Sequence, residues 1–206
     1  MWDDRVLPRL VDRALSAAEI AELRAEACAG LRGRVLEIGF GSGLNVEHYP
    51  ATVASVSAVE PSDVAWALSA DRRSRSAVPV ERTGLDGQRL AAPDGSYDGV
   101  LSTFTLCTIP DVGTALAEVR RVLRAGGRFH FLEHGHSPDD AVARWQRRLE
   151  PMQRRVFGGC HLTRDMTALV AEAGLDVTEL RTSYLPGPRL SRPWSYAYLG
   201  QGAESA

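Results

Sequence analysis

The chain has 206 residues, 44% of them hydrophobic, and a formal net charge of -2. This length supports one domain with a substantial core and is too short for two comfortable ones, so we expect residues 1–206 to form a single domain. The nearly balanced charge argues against a general nucleic-acid binder.

The first thirty residues precede the first predicted strand and are expected to form one or two helices over the carboxyl edge of a sheet. They contain several charges and no long apolar run, so we expect neither a signal peptide nor a membrane span. Segment 1–30 would act as a lid over a ligand site or would only pack on the sheet, and both interpretations stay open.

Short β-branched runs then alternate with longer helix-like segments, which is typical of a parallel sheet covered by helices on both faces. Strands are predicted at 34–38, 55–60, 77–82, 97–102 and 127–133, and helices at 62–75, 111–124, 138–157 and 163–173, with Asp111 as a helix cap. Two more strands, 176–183 and 193–199, predict a terminal hairpin, and residues 201–206 a frayed tail. The predicted fold class is α/β, a Rossmann-like doubly wound sheet of seven strands, mostly parallel with a carboxyl-terminal antiparallel hairpin.

A glycine-rich turn follows the first predicted strand. Residues 35–43 read Val-Leu-Glu-Ile-Gly-Phe-Gly-Ser-Gly, so Gly39, Gly41 and Gly43 alternate directly after an apolar run. Glycine reaches positive φ cheaply and lets a backbone approach a ligand closely. Glu60 ends the second apolar run, where a carboxylate accepts hydrogen bonds from ribose hydroxyls. The two features together predict an adenosyl cofactor.

The spacing of the glycines separates two cofactors. A pyrophosphate-binding loop, Gly-x-Gly-x-x-Gly, would need glycine at the position of Leu44. A carboxylate at Glu37 would repel a pyrophosphate but could hold an ammonium, and S-adenosylmethionine carries an α-amino group and a sulfonium charge. The loop therefore favours S-adenosylmethionine over NAD, and a tight turn without a ligand remains the alternative.

Four segments in order resemble the class I S-adenosylmethionine-dependent methyltransferases, and the resemblance covers nearly the whole chain. Residues 35–43 match the first motif of the family, 59–62 its ribose motif, 93–100 the approach to the fourth strand, and 118–127 the helix and Gly-Gly turn before the fifth. This resemblance implies S-adenosylmethionine as cofactor and S-adenosylhomocysteine as product.

The resemblance also implies a cofactor site, residue by residue. Its methionine end would contain Glu37, Gly39, Gly41, Gly43 and Asn45, its ribose part Glu60 and Pro61, its adenine part Asp86 and Gly87, and its flank Thr103 and Phe104. The segment around Asp86 departs from the acidic-then-alanine pattern that is usual there. Phe104 is either a cofactor contact or a core residue.

A narrower resemblance concerns the acceptor. Leu106-Cys107, residues 131–134, residues 159–164 and Arg192-Pro193 with Tyr196 and Tyr198 resemble the branch that includes animal microsomal alkyl thiol methyltransferases, and related bacterial chains there are often labelled phospholipid N-methyltransferases. This implies methyl transfer to a small lipophilic acceptor, on thiol sulfur. Animal members carry an apolar amino-terminal anchor, whereas residues 1–15 are charged here, so we expect no stable membrane insertion. The net charge of -2 leads us to expect no nucleic-acid partner.

Alternatives to thiol methylation remain. They are N-, C- or O-methylation of a small molecule or a phospholipid headgroup, a non-catalytic interaction module that keeps the fold, and an NAD oxidoreductase. The intact glycine loop with Glu37 and Glu60 argues against the non-catalytic module.

His134 is the preferred catalytic base. Methyl transfer is an in-line displacement, so the protein must align a nucleophile and remove its proton. His134 closes the fifth predicted strand beside Glu133, at the edge where acceptor and cofactor should meet. His136 and His161 are weaker candidates, and a structural role for His134 stays open.

The three cysteines, Cys28, Cys107 and Cys160, show no Cys-x-x-Cys pairing and an odd count, which suits the reducing cytoplasm. Neither zinc-type spacing nor an acidic cluster is evident, so no metal site is expected, and Cys107 and Cys160 are interpreted as packing residues.

Two sets of residues in the second half have alternative interpretations. The arginines at 144, 147, 148, 154 and 155 would form a solvated helix face or bind nucleic acid or phospholipid. The side chains of Trp145, Met152, Phe157, Tyr184 and Trp194 would shape an apolar acceptor pocket or pack in the core.

Overall fold

A computed structural model describes residues 5–204. The strands are β1 (Gly33–Ile38), β2 (Val53–Val59), β3 (Val80–Gly84), β4 (Tyr97–Thr103), β5 (Leu123–His134), β6 (Leu175–Tyr184) and β7 (Tyr196–Glu204). They form one sheet in the order β3-β2-β1-β4-β5-β7-β6. The first five strands pair in parallel, and β7 runs antiparallel to both β5 and β6. The predicted α/β class, with a mostly parallel sheet of seven strands and a terminal hairpin, is confirmed.

Eight α-helices lie between and before these strands in residues 5–204. They are α1 (Leu7–Leu15), α2 (Ala18–Cys28), α3 (Asp63–Leu68), α4 (Ala70–Ser74), α5 (Val112–Val122), α6 (Asp140–Val156), α7 (Met166–Glu172) and α8 (Arg192–Ser195). The predicted cap is confirmed, because the Asp111 side chain accepts a hydrogen bond from the Thr114 amide at 3.0 Å. One or two amino-terminal helices were predicted and two are present, although residues 1–4 of that segment lie outside the described residues. None of the described helices has both the length and the apolar character to cross a bilayer.

Several predicted boundaries differ from the observed ones, and three of these differences have a clear physical cause. Strand β5 begins at Leu123 rather than 127, because Leu123 already pairs with Tyr97 before the register shifts. Strand β7 begins at Tyr196 rather than 193, because the short helix α8 precedes it with Pro193 in its first turn, where the missing amide costs nothing. Residues 201–204 are strand rather than tail, since Gln201 pairs with strands on both sides; residues 205–206 lie outside the described residues.

Both faces of the sheet are covered, as neighbouring strand residues show. Val100 and Phe131 belong to the larger buried cluster, under α5 and α7, whereas the adjacent Leu101 and Leu132 belong to a second cluster with Ala27 and Cys28 of α2. Successive strand residues point to opposite faces, so apolar side chains at consecutive positions require helices on both sides. This double cover leaves the strand ends as the open part of the sheet.

Candidate functional site

A cavity of about 540 Å³ lies at the carboxyl edge of the parallel strands. This volume is within the range of about 300–1,000 Å³ that small-molecule sites occupy. Four of its walls are segments that end or follow β1, β2, β3 and β4, and a fifth is the inner side of α1. These lining residues are 38–42, 59–62, 85–88, 103–105 and, in α1, Leu7, Pro8, Val11, Asp12 and Leu15. The strand ends of an open α/β sheet are where such folds bind ligands.

The three glycines after β1 serve different purposes. All have positive φ, 71° at Gly39, 59° at Gly41 and 77° at Gly43. A Cβ on Gly39 would come within 2.0 Å of the Thr105 hydroxyl, and one on Gly43 would come within 3.0 Å of the Ser69 Cβ, so both positions are closed by packing. A Cβ on Gly41 would meet only the Gly39 carbonyl, at 3.9 Å. Gly41, which lines the cavity, therefore leaves space for a ligand.

Glu60 joins the end of β2 to this loop and also lines the cavity. One carboxylate oxygen accepts the Gly41 amide at 2.7 Å, and the other accepts the Ser62 amide at 2.7 Å. Burial raises the pKa of Glu60, against the two amides that stabilise its charge. A carboxylate offers about four acceptor positions, so two remain for a ligand after these bonds. Pro61, between the two bonded residues, lines the cavity as well.

Glu37, in β1 just before the glycine loop, is a buried carboxylate in a polar network. Its carboxylate accepts hydrogen bonds from the Asn45 amide nitrogen, at 2.9 Å, and from the Tyr49 hydroxyl. Burial raises its pKa to about 7, although both hydrogen bonds oppose that change. The described residues that line the cavity include neither Glu37 nor Asn45. Their contact with a cofactor therefore stays a prediction, and sequence reasoning missed Tyr49.

Arg24 is the main residue of the site that sequence reasoning missed. Its Nη1 donates to the Asn45 side-chain oxygen and to the Thr103 hydroxyl, both at 2.8 Å, and its guanidinium lies 5.3 Å from the centre of the Phe104 ring. Arg24 is 4% exposed and lines the cavity, and its Nε has no hydrogen-bond partner among residues 5–204. Its position in the sequence was a signal, because the spacing from Ile20 to Ala27 and Cys28 is that of one helix face and Arg24 falls on it. These residues are all buried, so a charged side chain lies on the buried face of α2.

The segment after β4 is held in a strained conformation. Phe104 has a φ of 53°, which a bulky residue rarely adopts. The next amide, of Thr105, donates to both oxygens of the buried Glu133 at 3.0 and 2.9 Å, and Ser102 donates to the same carboxylate at 2.7 Å. Thr103 and Phe104 both line the cavity, and Phe104 also packs against the second buried cluster. Glu133 thus positions this wall of the cavity without lining it.

The predicted adenine residues follow β3 and line the same cavity. Asp86 accepts the Gln88 amide at 2.9 Å, which closes a tight turn. A Cβ on Gly87 would come within 2.8 Å of the Ile38 side chain, so this turn lies close against the end of β1. Whether Asp86 and Gly87 contact adenine stays a prediction.

His134 lies beside cysteines rather than on the cavity wall. It is 8% exposed, and its Nε2 lies 3.1 Å from the Cys160 Sγ. Burial opposes ionisation, but the contact with Cys160 outweighs it and raises the pKa of His134. His134, His136 and His161 are not among the described residues that line the cavity. The base role of His134 stays a prediction, without a direct path to a ligand in this geometry.

The arginines and the apolar residues considered in the second half of the chain differ in exposure and in contacts. The five arginines of α6 are all exposed, as a solvated helix face would be. Of the five apolar residues considered for an acceptor pocket, Phe157 lines the cavity. Trp145 and Met152 are more than half exposed, Tyr184 bonds to Ser137, and Trp194 bonds to Gln153.

Comparison with known proteins shows similarity to methyltransferases. A family described as "Methyltransferase domain" matches residues 36–131. The chain is 31% identical to human thiol S-methyltransferase TMT1A, over 82% of this chain and 72% of that protein. It is 32% identical to rat thiol S-methyltransferase TMT1B, over 75% of this chain and 64% of that protein. A phosphatidylethanolamine N-methyltransferase from Cereibacter sphaeroides is 28% identical over 75% of each chain.

The fold has solved counterparts. A SAM-dependent methyltransferase from Thermotoga maritima superimposes with a TM-score of 0.69 and 22% identity, over the whole of both chains. At this identity the likeness concerns the fold alone. Because the chain spans 64% of rat TMT1B and 72% of human TMT1A, part of each mammalian protein has no counterpart in the alignment.

Proposed function

This chain belongs to the S-adenosylmethionine-dependent methyltransferases, and we propose that it transfers a methyl group to the thiol sulfur of a small lipophilic acceptor. The observation that carries the proposal is a single cavity that combines cofactor-type groups, the glycine loop with Glu60 and Arg24, with an apolar wall from α1 and Phe157. Methyl transfer requires both ligands in one water-poor space.

The residues present fit S-adenosylmethionine on three observations. The open side of Gly41 leaves room for a ligand against the backbone. The carboxylate of Glu60 keeps two acceptor positions beside its bonds to Gly41 and Ser62, which suits two ribose hydroxyls. The buried Nε–H of Arg24 lacks a partner within residues 5–204, and this costs free energy unless a ligand accepts a hydrogen bond from it.

Each group then has a task in holding the cofactor. When bound, S-adenosylmethionine supplies an electrophilic methyl group on a sulfonium sulfur. Arg24 would pair with the carboxylate of its methionine part, and Glu37 would provide negative charge near the ammonium, directly or through Asn45. Asp86 and Gly87 would border the adenine, and Phe104 would flank it. In this proposal the charged groups Arg24, Glu37 and Glu60 bind the polar parts of the cofactor, and the backbone of the glycine loop packs closely against it.

The remaining wall of the cavity favours a lipophilic acceptor. Leu7, Val11 and Leu15 of α1 face the same space as Ile109 and Phe157. Helix α1 therefore covers the strand ends as a lid would, and we propose that role for it. A thiol acceptor suits this wall, because a thiol is partly ionised at neutral pH and needs less help from a dedicated base than an alcohol. The small-molecule acceptor, and a reducing cytoplasmic location suggested by three free cysteines, belong to the same proposal.

The test is methyl transfer from labelled S-adenosylmethionine to alkyl thiols of increasing chain length, with the product identified by mass spectrometry. We expect a methyl thioether, with kcat/KM rising with chain length as more apolar surface is buried. Glu60→Ala is the matched control, since it should lose cofactor binding and activity together.

Other acceptors are outcomes of the same assay. The similarity to a phosphatidylethanolamine N-methyltransferase makes an amine headgroup the second candidate. Product from phosphatidylethanolamine vesicles with none from thiols would overturn the thiol assignment and keep the methyltransferase. Failure to bind S-adenosylhomocysteine in calorimetry would overturn both and revive a non-catalytic module.

A further inference from the structure

Three side chains with metal-binding atoms meet in the interior, away from the cavity lining. They come from separate segments: Cys107 from the loop after β4, His134 from the end of β5 and Cys160 from the turn after α6. Their ligand atoms all lie within 4.8 Å of one another, and all three residues are buried. Chain spacing gives no hint of this group, because the three residues are far apart in sequence.

The surroundings make this group unusual. Cys107 and Cys160 belong to the largest apolar cluster, with Leu106, Leu162 and Met166 as fully buried neighbours. The His134 Nε2 lies 3.1 Å from the Cys160 Sγ, and the same sulfur accepts a hydrogen bond from the Gln153 Nε2 at 3.4 Å. An imidazole and two sulfurs therefore converge inside the apolar core, with Nε2 as the ring nitrogen that faces the sulfur of Cys160.

We propose that Cys107, His134 and Cys160 bind one zinc ion. Zinc prefers thiolate and imidazole ligands, and two cysteines with one histidine are a known set of three that leaves the fourth position to a small ligand. Two thiolates also neutralise the charge of the ion, which suits an apolar interior. Tetrahedral zinc separates sulfur and nitrogen ligands by about 3.5 Å, so the 3.1 Å between the Cys160 Sγ and the His134 Nε2 would widen by about 0.4 Å.

The ion would fasten two walls of the cavity to β5. Thr108 and Ile109, directly after Cys107, line the cavity, and so do Phe157 and Gly158, shortly before Cys160. The two loops already touch, because the His161 amide donates to the Cys107 carbonyl at 2.8 Å. A shared ion would hold these loops in register while the chain binds ligands. This site is independent of the acceptor that the chain methylates.

The experiment measures zinc in the full chain, produced without a histidine tag in zinc-supplemented medium. We expect about one zinc per chain by mass spectrometry of the elements, and a thiolate-to-cobalt absorption band after exchange with Co²⁺. Cys107→Ser and Cys160→Ser should each lower the zinc content at least fivefold. Cys28→Ser is the matched control, since Cys28 is equally buried but belongs to the other apolar cluster.

Three results would overturn the proposal. One is a wild-type chain that contains no zinc and shows no thiolate band with cobalt, a result that does not depend on whether the variants fold. Another is equal zinc in the wild type and in the Cys107→Ser/Cys160→Ser double variant, which would show adventitious metal only. The third is an intact Cys107–Cys160 disulfide in the chain purified under nitrogen, because oxidised sulfurs cannot act as thiolate ligands.

Discussion

The Nη1 of Arg24 lies 2.8 Å from the side-chain oxygen of Asn45, so helix α2 is joined directly to the segment that follows the glycine loop. The same nitrogen donates to Thr103 at the end of β4. One guanidinium group therefore links an amino-terminal helix to the end of β4 and to Asn45, which in turn donates to the buried carboxylate of Glu37. Cofactor affinity should depend on this arginine although it belongs to no recognised motif.

Arg24→Met is expected to lower the affinity for S-adenosylhomocysteine at least tenfold, about 1.4 kcal/mol. The change removes the positive charge and two hydrogen bonds while it keeps the volume of the side chain. Isothermal titration calorimetry checks this, with Arg13→Met as control, because Arg13 is exposed on α1 and does not line the cavity. Equal affinity in the wild type and in Arg24→Met would contradict the assignment.

Glu37 should make cofactor binding depend on pH. Its pKa of about 7 is raised, chiefly by burial, so the carboxyl is mostly protonated below pH 7. An ammonium is attracted by the carboxylate only, and the affinity for S-adenosylhomocysteine should therefore fall as pH drops below 7, by up to about tenfold per unit, and stay level above it. Arg24, Tyr49 and Glu60 are the other ionisable groups that act on Glu37.

Glu37→Gln is the control for this dependence. The variant should bind more weakly at pH 8 and show a nearly flat profile from pH 5.5 to 8. Titration in two buffers of different ionisation enthalpy should also reveal proton release on binding at pH 6.5 in the wild type alone. An identical profile for both proteins would show that another group titrates.

Gly41→Ala should abolish cofactor binding at a small cost in stability. Its φ of 59° costs a non-glycine residue roughly 1–2 kcal/mol, but the added methyl meets only the Gly39 carbonyl in the protein. Gly126→Ala is the matched control, since φ is 75° there and a Cβ would find no atom within 4 Å. Thermal unfolding should shift by a similar amount in both variants, and only Gly41→Ala should lose binding. Retained binding in Gly41→Ala would show that the open space is not the cofactor cradle.

Two neighbouring residues of α1 test its role in the acceptor site. Val11 lines the cavity and Leu10 does not, although the two are 39% and 46% exposed. Val11→Asp should raise KM for a long-chain thiol several-fold, because a carboxylate would have to be desolvated beside the alkyl chain. Leu10→Asp should leave KM unchanged. Equal effects of the two changes would indicate that α1 acts through general packing.

His134→Asn separates the two roles considered for this residue. If His134 is a zinc ligand, the substitution should lower the zinc content. If it is a base, the substitution should lower kcat and leave the zinc content unchanged. We expect loss of zinc, because His134 contacts Cys160 and does not line the cavity. Parallel measurement of zinc content and kcat checks this, and a zinc-replete variant with reduced kcat would support the base instead.

Local sequence patterns were sufficient to predict the fold class and the cofactor loop. The alternation of strands and helices follows from periodicity, and the glycine loop with Glu60 follows from residues adjacent to strand ends. Arg24 and Thr103 are 79 positions apart, so their contact arises only when α2 packs on the sheet. The same holds for Cys107, His134 and Cys160. In the sequence, each of them could be a packing residue or a metal ligand, and only the folded sheet brings them together. Strand β7 was predicted too short because its last residues gain order from two neighbours rather than from their own composition.

The position of β7 between β5 and β6 has a consequence for the order of synthesis. Strand β6 is made first, but in residues 5–204 its neighbour in the sheet is β7. A nascent chain that has reached residue 184 therefore carries a strand with nothing to pair with, while β5 still has one open edge. Such edges favour association between chains. Ribosome-bound intermediates of this length should be the ones most dependent on chaperones, and this dependence should end when the nine residues of β7 have been added.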